Sequence, residues 1–421
     1  MPCKSGYGPV AGAILALMAG ALLAAPASAQ SGEPIKIGFS MALTGGLAPN
    51  GKSALLAQKL WEEDVNAKGG LRGRPVKLVY YDDKSSPAEV PAIYTKLLDV
   101  DKVELVVGPY ATAQIAPAMP IVMQKKKTFI GLLGLAVNTE FNYPNYFAMI
   151  PSGPDAKPAF TKGFFDVAMA QGAKPQTVAI VAADQEFSRN AADGARENAK
   201  AANLRVVYDR TYPPSTADFA PIVRAIQASN PDIVVVCSYP PDSVGMVRAV
   251  NEIGFKPKAI GGAMVGLQAT AIKTQLGPLL NGWTNYDFWL PVPKMDFPGV
   301  ADLIKRYQAR AAAEGVDPLG YYIGPWGYAQ MEVLAQAIAA TKTLNDDKLA
   351  DYIRANTFKT VVGDVKFGKD GEWAQSRVLQ VQFQNVKGND VAQFRDISTQ
   401  VVLTPSEYAS GKVIYPYEKA K

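Results

Sequence analysis

Short, almost unbroken apolar runs recur along the chain, each followed by a stretch in which apolar residues return every three or four positions. Ile35–Ser40 (IKIGFS), Val76–Asp82 (VKLVYYD), Glu104–Gly108 (ELVVG) and Phe129–Leu132 read as strands. Gly51–Ala67 reads as a helix with Leu56, Leu60 and Trp61 on one side, and another helix begins near Thr112. Strands that are apolar throughout and separated by helices predict a parallel sheet covered on both faces. Pro151, Pro154 and Pro158 punctuate a break, and the pattern restarts with Thr177–Ala182, Leu204–Arg210, Ile233–Cys237 and Ala259–Gly261. Helices are predicted over 190–202, 219–229 and 243–253, with Asp218 as an N-cap and Pro221 in the first turn of the second. Past Gly282 the texture changes: 299–341 and 346–356 read as helical, and Leu379, Val381 and Phe383 alternate with Gln380, Gln382 and Gln384 as a strand with one wet face. The fold class is α/β, two doubly wound parallel-sheet lobes with a hinge and an interlobe cleft. Residues 30–152 plus 287–360 are assigned to lobe 1, and 153–286 plus 361–421 to lobe 2. Ligands of open parallel sheets sit at the C-terminal ends of the strands, so the cleft is the expected site.

The N-terminus changes where such a protein would work. Lys4 is the only charge before Glu33, Val10–Ala25 is small and apolar, and Pro26 and Ala27-Ser28-Ala29 follow. That order describes a secretory signal over residues 1–29, with an apolar stretch too short to span a bilayer. A periplasmic protein of 392 residues and formal charge +4 is expected once those residues and Lys4 are removed. The only basic run is Lys125–Lys127, which reads as a solvated helix end, and nucleic acid is not an expected partner. Histidine is absent, which removes His-dependent nucleophile pairs and His zinc sites. Cys237 would stand alone after Cys3 leaves, so no disulfide and no cysteine metal site is expected, and no cofactor.

Gly46–Ser53 (GLAPNGKS) matches the phosphate-loop spacing letter for letter, after a strand and before a helix. Against nucleotide binding stand the export signal and Pro49 inside a loop with only two glycines, which leaves few N–H groups for a phosphate.

A longer pattern surrounds this motif. Thr44–Asp83 runs through Asn66-Ala67-Lys68-Gly69-Gly70-Leu71-Arg72-Gly73 to Leu78, Asp82 and then Pro87. Val107-Gly108-Pro109, Asp218–Ile226, Pro231–Val236 and Gly254 continue it. Over essentially the whole mature chain the sequence resembles the substrate-binding proteins of branched-chain amino acid ABC importers, the leucine/isoleucine/valine-binding family. The resemblance implies the type I periplasmic binding fold, a small solute as ligand, an inner-membrane ABC permease as partner, a monomer, and no enzymatic activity. It places Tyr110, Ala111 and Thr112 in the loop that holds a ligand carboxylate. The start of a helix there favours an anion in any case. Leu133-Gly134-Leu135 maps to a second carboxylate loop, with Leu135 where the family has a threonine. Tyr239 maps within a residue of a tyrosine that closes on the carboxylate, Phe187 to an aromatic packing on the ligand, and Asn50 to the cleft mouth. Trp326 and Tyr328 start a late first-lobe helix. Ala263 stands where amino acid binders carry a glutamate for the ligand ammonium, so the expected solute is an apolar or aromatic acid lacking the usual amino group. Asp184 and Glu186 are the carboxylates that could compensate. Branched-chain or other amino acids, and a ligand-sensing module for a membrane receptor, are the alternatives. An exported enzyme would need paired carboxylates, and Asp82 and Asp83 point to opposite faces of a strand.

Overall fold

The computed structural model describes residues 1, 4–6 and 32–421. The expected export signal falls, apart from residues 1 and 4–6, outside the described residues. No helix among the described residues is long and apolar enough to cross a membrane.

The first lobe is built on strands β1 (Ile35–Met41), β2 (Val76–Asp82), β3 (Leu105–Val106), β4 (Phe129–Gly131) and β5 (Tyr146–Ala148). They lie parallel in the order β2-β1-β3, with β4-β5 joined on through a Tyr110–Leu132 bridge. The second lobe is one seven-stranded sheet of β6 (Thr177–Ala183), β7 (Arg205–Tyr212), β8 (Ile233–Ser238), β9 (Ala259–Met264), β10 (Thr284–Asp287), β13 (Leu379–Phe383) and β14 (Gln400–Thr404). Its order is β14-β13-β10-β9-β8-β6-β7, and only β13 and β14 run antiparallel to their neighbours. Between β10 and β13 the chain forms the hairpin β11 (Thr357–Thr360) and β12 (Gly363–Lys366). Every residue of β6 and β8 is buried, as strands covered on both faces must be.

The first lobe's helices are α1 (Ala48–Ala67), α2 (Val90–Asp99), α3 (Thr112–Gln124), α4 (Asn138–Phe141), α10 (Val300–Glu314), α11 (Gly324–Thr341) and α12 (Asp346–Ala355). The second lobe carries α5 (Ala156–Met169), α6 (Glu186–Ala201), α7 (Ala220–Ala228), α8 (Pro240–Ile253) and α9 (Thr270–Leu276). The N-cap of α7 is Phe219, one residue past the expected Asp218, which accepts the N–H of Ala220 at 2.9 Å from just outside the helix.

Three features differ from the sequence reading. Residues 299–341 form two helices, because Gly315 ends α10 at φ 62° and Asp317 ties the next turn through the N–H groups of Leu319 and Gly320. The glutamines of β13 have no wet face: Gln382 Nε2 donates to Gly282 O and Ile414 O, and Gln384 Nε2 to Lys412 O. The returning C-terminal segment covers Gln382 and Gln384, whose amides serve its backbone, while the buried Gln380 amide has no partner. The boundary expected at residue 360 cuts the β11–β12 hairpin, which packs on α11. The chain stays with the first lobe beyond it, since Ala148 donates to Gly371 O and Phe367 bridges Trp373. Gly371 makes that fit possible: at φ 82° its Cβ position lies 2.0 Å from Tyr146 O, so no side chain is tolerated.

Candidate functional site

Between the lobes lies a narrow chamber walled by Tyr110, Ala111, Thr112, Leu133, Ile150 and Tyr322 on one side and Phe187, Tyr239, Val265, Tyr286 and Phe288 on the other. Its cavity volume is about 10 Å³. That is room for about one water molecule and far too little for a solute. The two walls therefore meet, and a solute enters only when they part.

The anion-favouring feature is the start of α3. Thr112 is its first residue, 1% exposed, and Ala111 before it sits at φ 80°, ψ 147°. An alanine there is in a region open mainly to glycine, which costs about 1–3 kcal/mol and is tolerated where the surroundings hold it. Gln114 and Ile115 both donate to Ala111 O, which fixes the turn. A helix start carries unsatisfied N–H groups and the positive end of the dipole. Thr112 Oγ1 accepts the N–H of Leu135 at 2.9 Å, so the hydroxyl's own proton is left to donate.

The rest of the wall is aromatic. Phe187 meets Tyr239 edge-on at 5.9 Å, Phe288 stacks on Tyr322 at 5.9 Å, and Tyr286 contacts Phe288 at 5.2 Å. Behind them stand Phe160, 4.5 Å from Tyr286, and Trp326, 5.8 Å from Phe288. No lining residue carries a formal charge.

Of the residues the sequence predicts, Tyr110, Ala111, Thr112, Leu133, Phe187 and Tyr239 come together here. Leu135, Ala263 and Asn50 do not line the chamber. Leu135 is buried with its N–H on Thr112, and its carbonyl accepts Asn190 Nδ2 from α6 at 3.0 Å, so it latches one lobe to the other. Ala263 is still inside β9, paired with Cys237, and the chain reaches the chamber two residues later at Val265. Asn50 stands behind the wall and donates from Nδ2 to the Tyr110 hydroxyl at 2.9 Å. Tyr328 faces away and bonds Asp64. Asp184 pairs with exposed Arg189, and Glu186 lies in the mouth of the cleft outside the chamber. Burial, then the charge of Glu140 on the opposite lobe, pushes the Glu186 carboxyl up to about 7.

Ile150, Val265, Tyr286, Phe288 and Tyr322 escaped sequence reasoning. Tyr286 and Phe288 straddle the C-terminal end of β10, where the strand-end rule points, but the short strand Thr284–Asp287 carries little pattern. Tyr322 sits between two helices and is brought in by tertiary folding alone.

The phosphate-loop match has another use. Leu47 donates its N–H to Ser85 Oγ, Ala48 to Gly45 O, and Asn50 and Gly51 to Leu47 O, which leaves little of the loop for a phosphate. Ser53 Oγ turns back to Pro49 O, and the Cβ position of Gly51 is 2.0 Å from Ala42 O. The glycine is there so that α1 can lie against β1. Asp82 and Asp83 also part company: Asp82 accepts from Leu43, Thr44 and Lys84 and is held low by these bonds despite partial burial. Buried Asp83, next to Ser40, is pushed up to about 6 by desolvation. A larger open recess of about 1000 Å³ lies beside the β11–β12 hairpin, but its Lys359 and Asp364 are paired with each other and it is remote from the α3 start.

A family model described as periplasmic binding protein matches residues 34–389. The chain belongs to this family. Its members are substrate-binding proteins of ABC transporters, which take up small solutes, work with membrane permeases and are not enzymes. The Leu/Ile/Val-binding protein of Escherichia coli strain K12 is 26% identical over 85% of this chain and 93% of its own. A branched-chain amino acid substrate-binding protein from Streptococcus pneumoniae, in complex with isoleucine, superposes with a TM-score of 0.71 at 19% identity, over 89% of this chain and 100% of that one. A solute-binding protein from R. palustris, in complex with benzoate, does so with a TM-score of 0.72 at 17% identity, over 91% and 98%.

Proposed function

We propose that this chain is exported to the periplasm, captures a small aromatic or apolar carboxylate between its lobes, and delivers it as a monomer to an inner-membrane ABC permease. The observation that carries the reading is the make-up of the chamber wall: aromatic rings from both lobes, a helix start with Thr112, and no charged side chain. A carboxylate head would take the Thr112 hydroxyl and the α3 N–H groups, and the rings would enclose its body. An α-amino acid would also bury an ammonium with no carboxylate against it, which costs several kcal/mol. The benzoate complex of the R. palustris protein supports an aromatic acid on this fold. The relationship to the E. coli protein favours a second reading, a branched-chain amino acid.

Closure is a hinge motion that brings Phe187, Tyr239 and Tyr286 onto the first lobe's anion site, with contacts to both lobes stabilising the closed form. Thermal shift and calorimetry on the mature chain with benzoate, phenylacetate, leucine and isoleucine test the proposal. Benzoate or phenylacetate is expected to raise the melting temperature in proportion to the logarithm of its concentration. Leucine or isoleucine binding as tightly as either acid would sink it in favour of the second reading.

A further inference from the structure

Four of the rings that wall the chamber are tyrosines: Tyr110 and Tyr322 from the first lobe, Tyr239 and Tyr286 from the second. Phenylalanine would pack as well without a hydroxyl, as Phe187 and Phe288 do in the same wall. Burying a hydroxyl with no partner costs about 1–3 kcal/mol, so four in a narrow apolar space call for a use. Their bonds are incomplete. Asn50 Nδ2 occupies the acceptor side of Tyr110, whose own hydroxyl turns to Tyr322. Tyr286 and Tyr322 share one bond across the lobe boundary, 3.0 Å long, which leaves one proton and several lone pairs between them. Tyr239 Oη, on a residue 6% exposed, has no side-chain partner and faces only the Phe187 backbone. Burial keeps these phenols protonated at neutral pH, with Tyr110 pushed up to about 12.

The Tyr286–Tyr322 pair is set among rings, not at the helix start. Tyr286 touches Phe160, Phe187 and Phe288, and Tyr322 stacks on Phe288. These are the groups that would surround the body of a bound acid while Thr112 holds its head. We infer that the chamber selects aromatic acids bearing a ring hydroxyl, and that Tyr286 and Tyr322 read that hydroxyl when the lobes close. A phenol both donates and accepts, which matches a hydroxyl pair offering one free proton and free lone pairs. An unsubstituted ring leaves the pair to itself, and an analogue lacking the group a buried polar site is built for is discriminated against. This inference rests on the aromatic-acid reading above.

The test is titration calorimetry on the mature chain with benzoate, meta- and para-hydroxybenzoate and para-methoxybenzoate, repeated on Tyr286→Phe and Tyr322→Phe. These substitutions keep the ring, and circular dichroism with thermal unfolding checks that the variants fold. At least one hydroxybenzoate is expected to bind the unaltered chain at least about tenfold tighter than benzoate, ~1.4 kcal/mol. In either variant the preference for the hydroxybenzoate over benzoate, both measured on that variant, should fall to about threefold or less. Benzoate binding as tightly as both hydroxybenzoates, or a preference that survives both substitutions, overturns the hydroxyl-reading role and leaves the aromatic-acid reading standing. Binding of none of the four acids overturns both. The methoxy acid, which accepts but cannot donate, should fall between benzoate and the preferred hydroxybenzoate; equality with the latter would overturn the donor-and-acceptor match.

Discussion

Glu372 should make the protein lose stability as the solution turns alkaline, and replacing it by glutamine should remove that loss. The residue follows β12 in the segment leading back to the second lobe, is 2% exposed, and has no ionic partner and at most the Ser152 hydroxyl as a hydrogen-bond donor. The hydroxyls of Ser152 and Tyr146 lie near it and have no other partner. Burial, and then the charge of Asp370, pushes its carboxyl from 4.5 up to about 8. The folded chain therefore keeps a proton that the unfolded chain gives up. The stabilisation is fully present below the unfolded value of 4.5 and is lost as pH rises through about 8. Each pH unit in that window costs about 1.4 kcal/mol, so the window of about 3.5 units sets an upper bound near 5 kcal/mol. Local relaxation and water entry reduce such penalties, and about 2–4 kcal/mol is expected in practice. Glutamine keeps the shape, cannot ionise, and offers an amide to the two hydroxyls. Urea unfolding of the mature chain at about pH 5 and about pH 8.5 reads the effect. Glu372→Gln should match the unaltered chain at the lower pH and exceed it by that margin at the higher. A gap between the two proteins that is the same at both pH values would refute the reasoning.

Other outcomes follow from the same geometry. Thr112→Ala should weaken benzoate binding more than about tenfold, since it removes a donor and leaves the Leu135 N–H without its acceptor; Thr112→Ser should retain binding, and unchanged calorimetry for the alanine variant would discount the head-group site. Asn190→Ala breaks the interlobe bond to Leu135 O, worth about 1 kcal/mol, so the unliganded variant should be more open by small-angle scattering; an identical scattering curve would remove the latch from the account. Gly51→Val drives a side chain into Ala42 O and should cost about 3 kcal/mol or more in urea unfolding, whereas Lys52→Ala, on an exposed residue, should alter neither stability nor benzoate binding. A melting temperature raised by ATP would restore the nucleotide reading of that loop.

The lobes were legible because buried parallel strands such as IVVVC and TVAIVA have no other reading, and their helices carry their own start signals. The two helices of 299–341 were merged because apolar spacing continues across Gly315–Gly320, although its glycines and Pro318 spell the turn. The β13 glutamines misled for a physical reason: an amide is polar enough to look solvated, yet can be buried wherever backbone groups need partners. The helix-start half of the site could be read, since strand, glycine and threonine stand close together from Gly108 to Thr112. The tyrosines of the far wall could not, because Tyr286 and Tyr322 meet only after the chain has crossed between lobes.

The contact between Asn190 and Leu135 bears on time as well as affinity. A molecule captured between walls from both lobes leaves when the lobes part, which requires this latch and the ring contacts around it to give way together. Residence time is then a property of the doorway as well as of the grip on the cargo. Loosening the latch would speed the release of every solute, and a permease that pries the lobes apart would empty the protein regardless of how well the cargo fits.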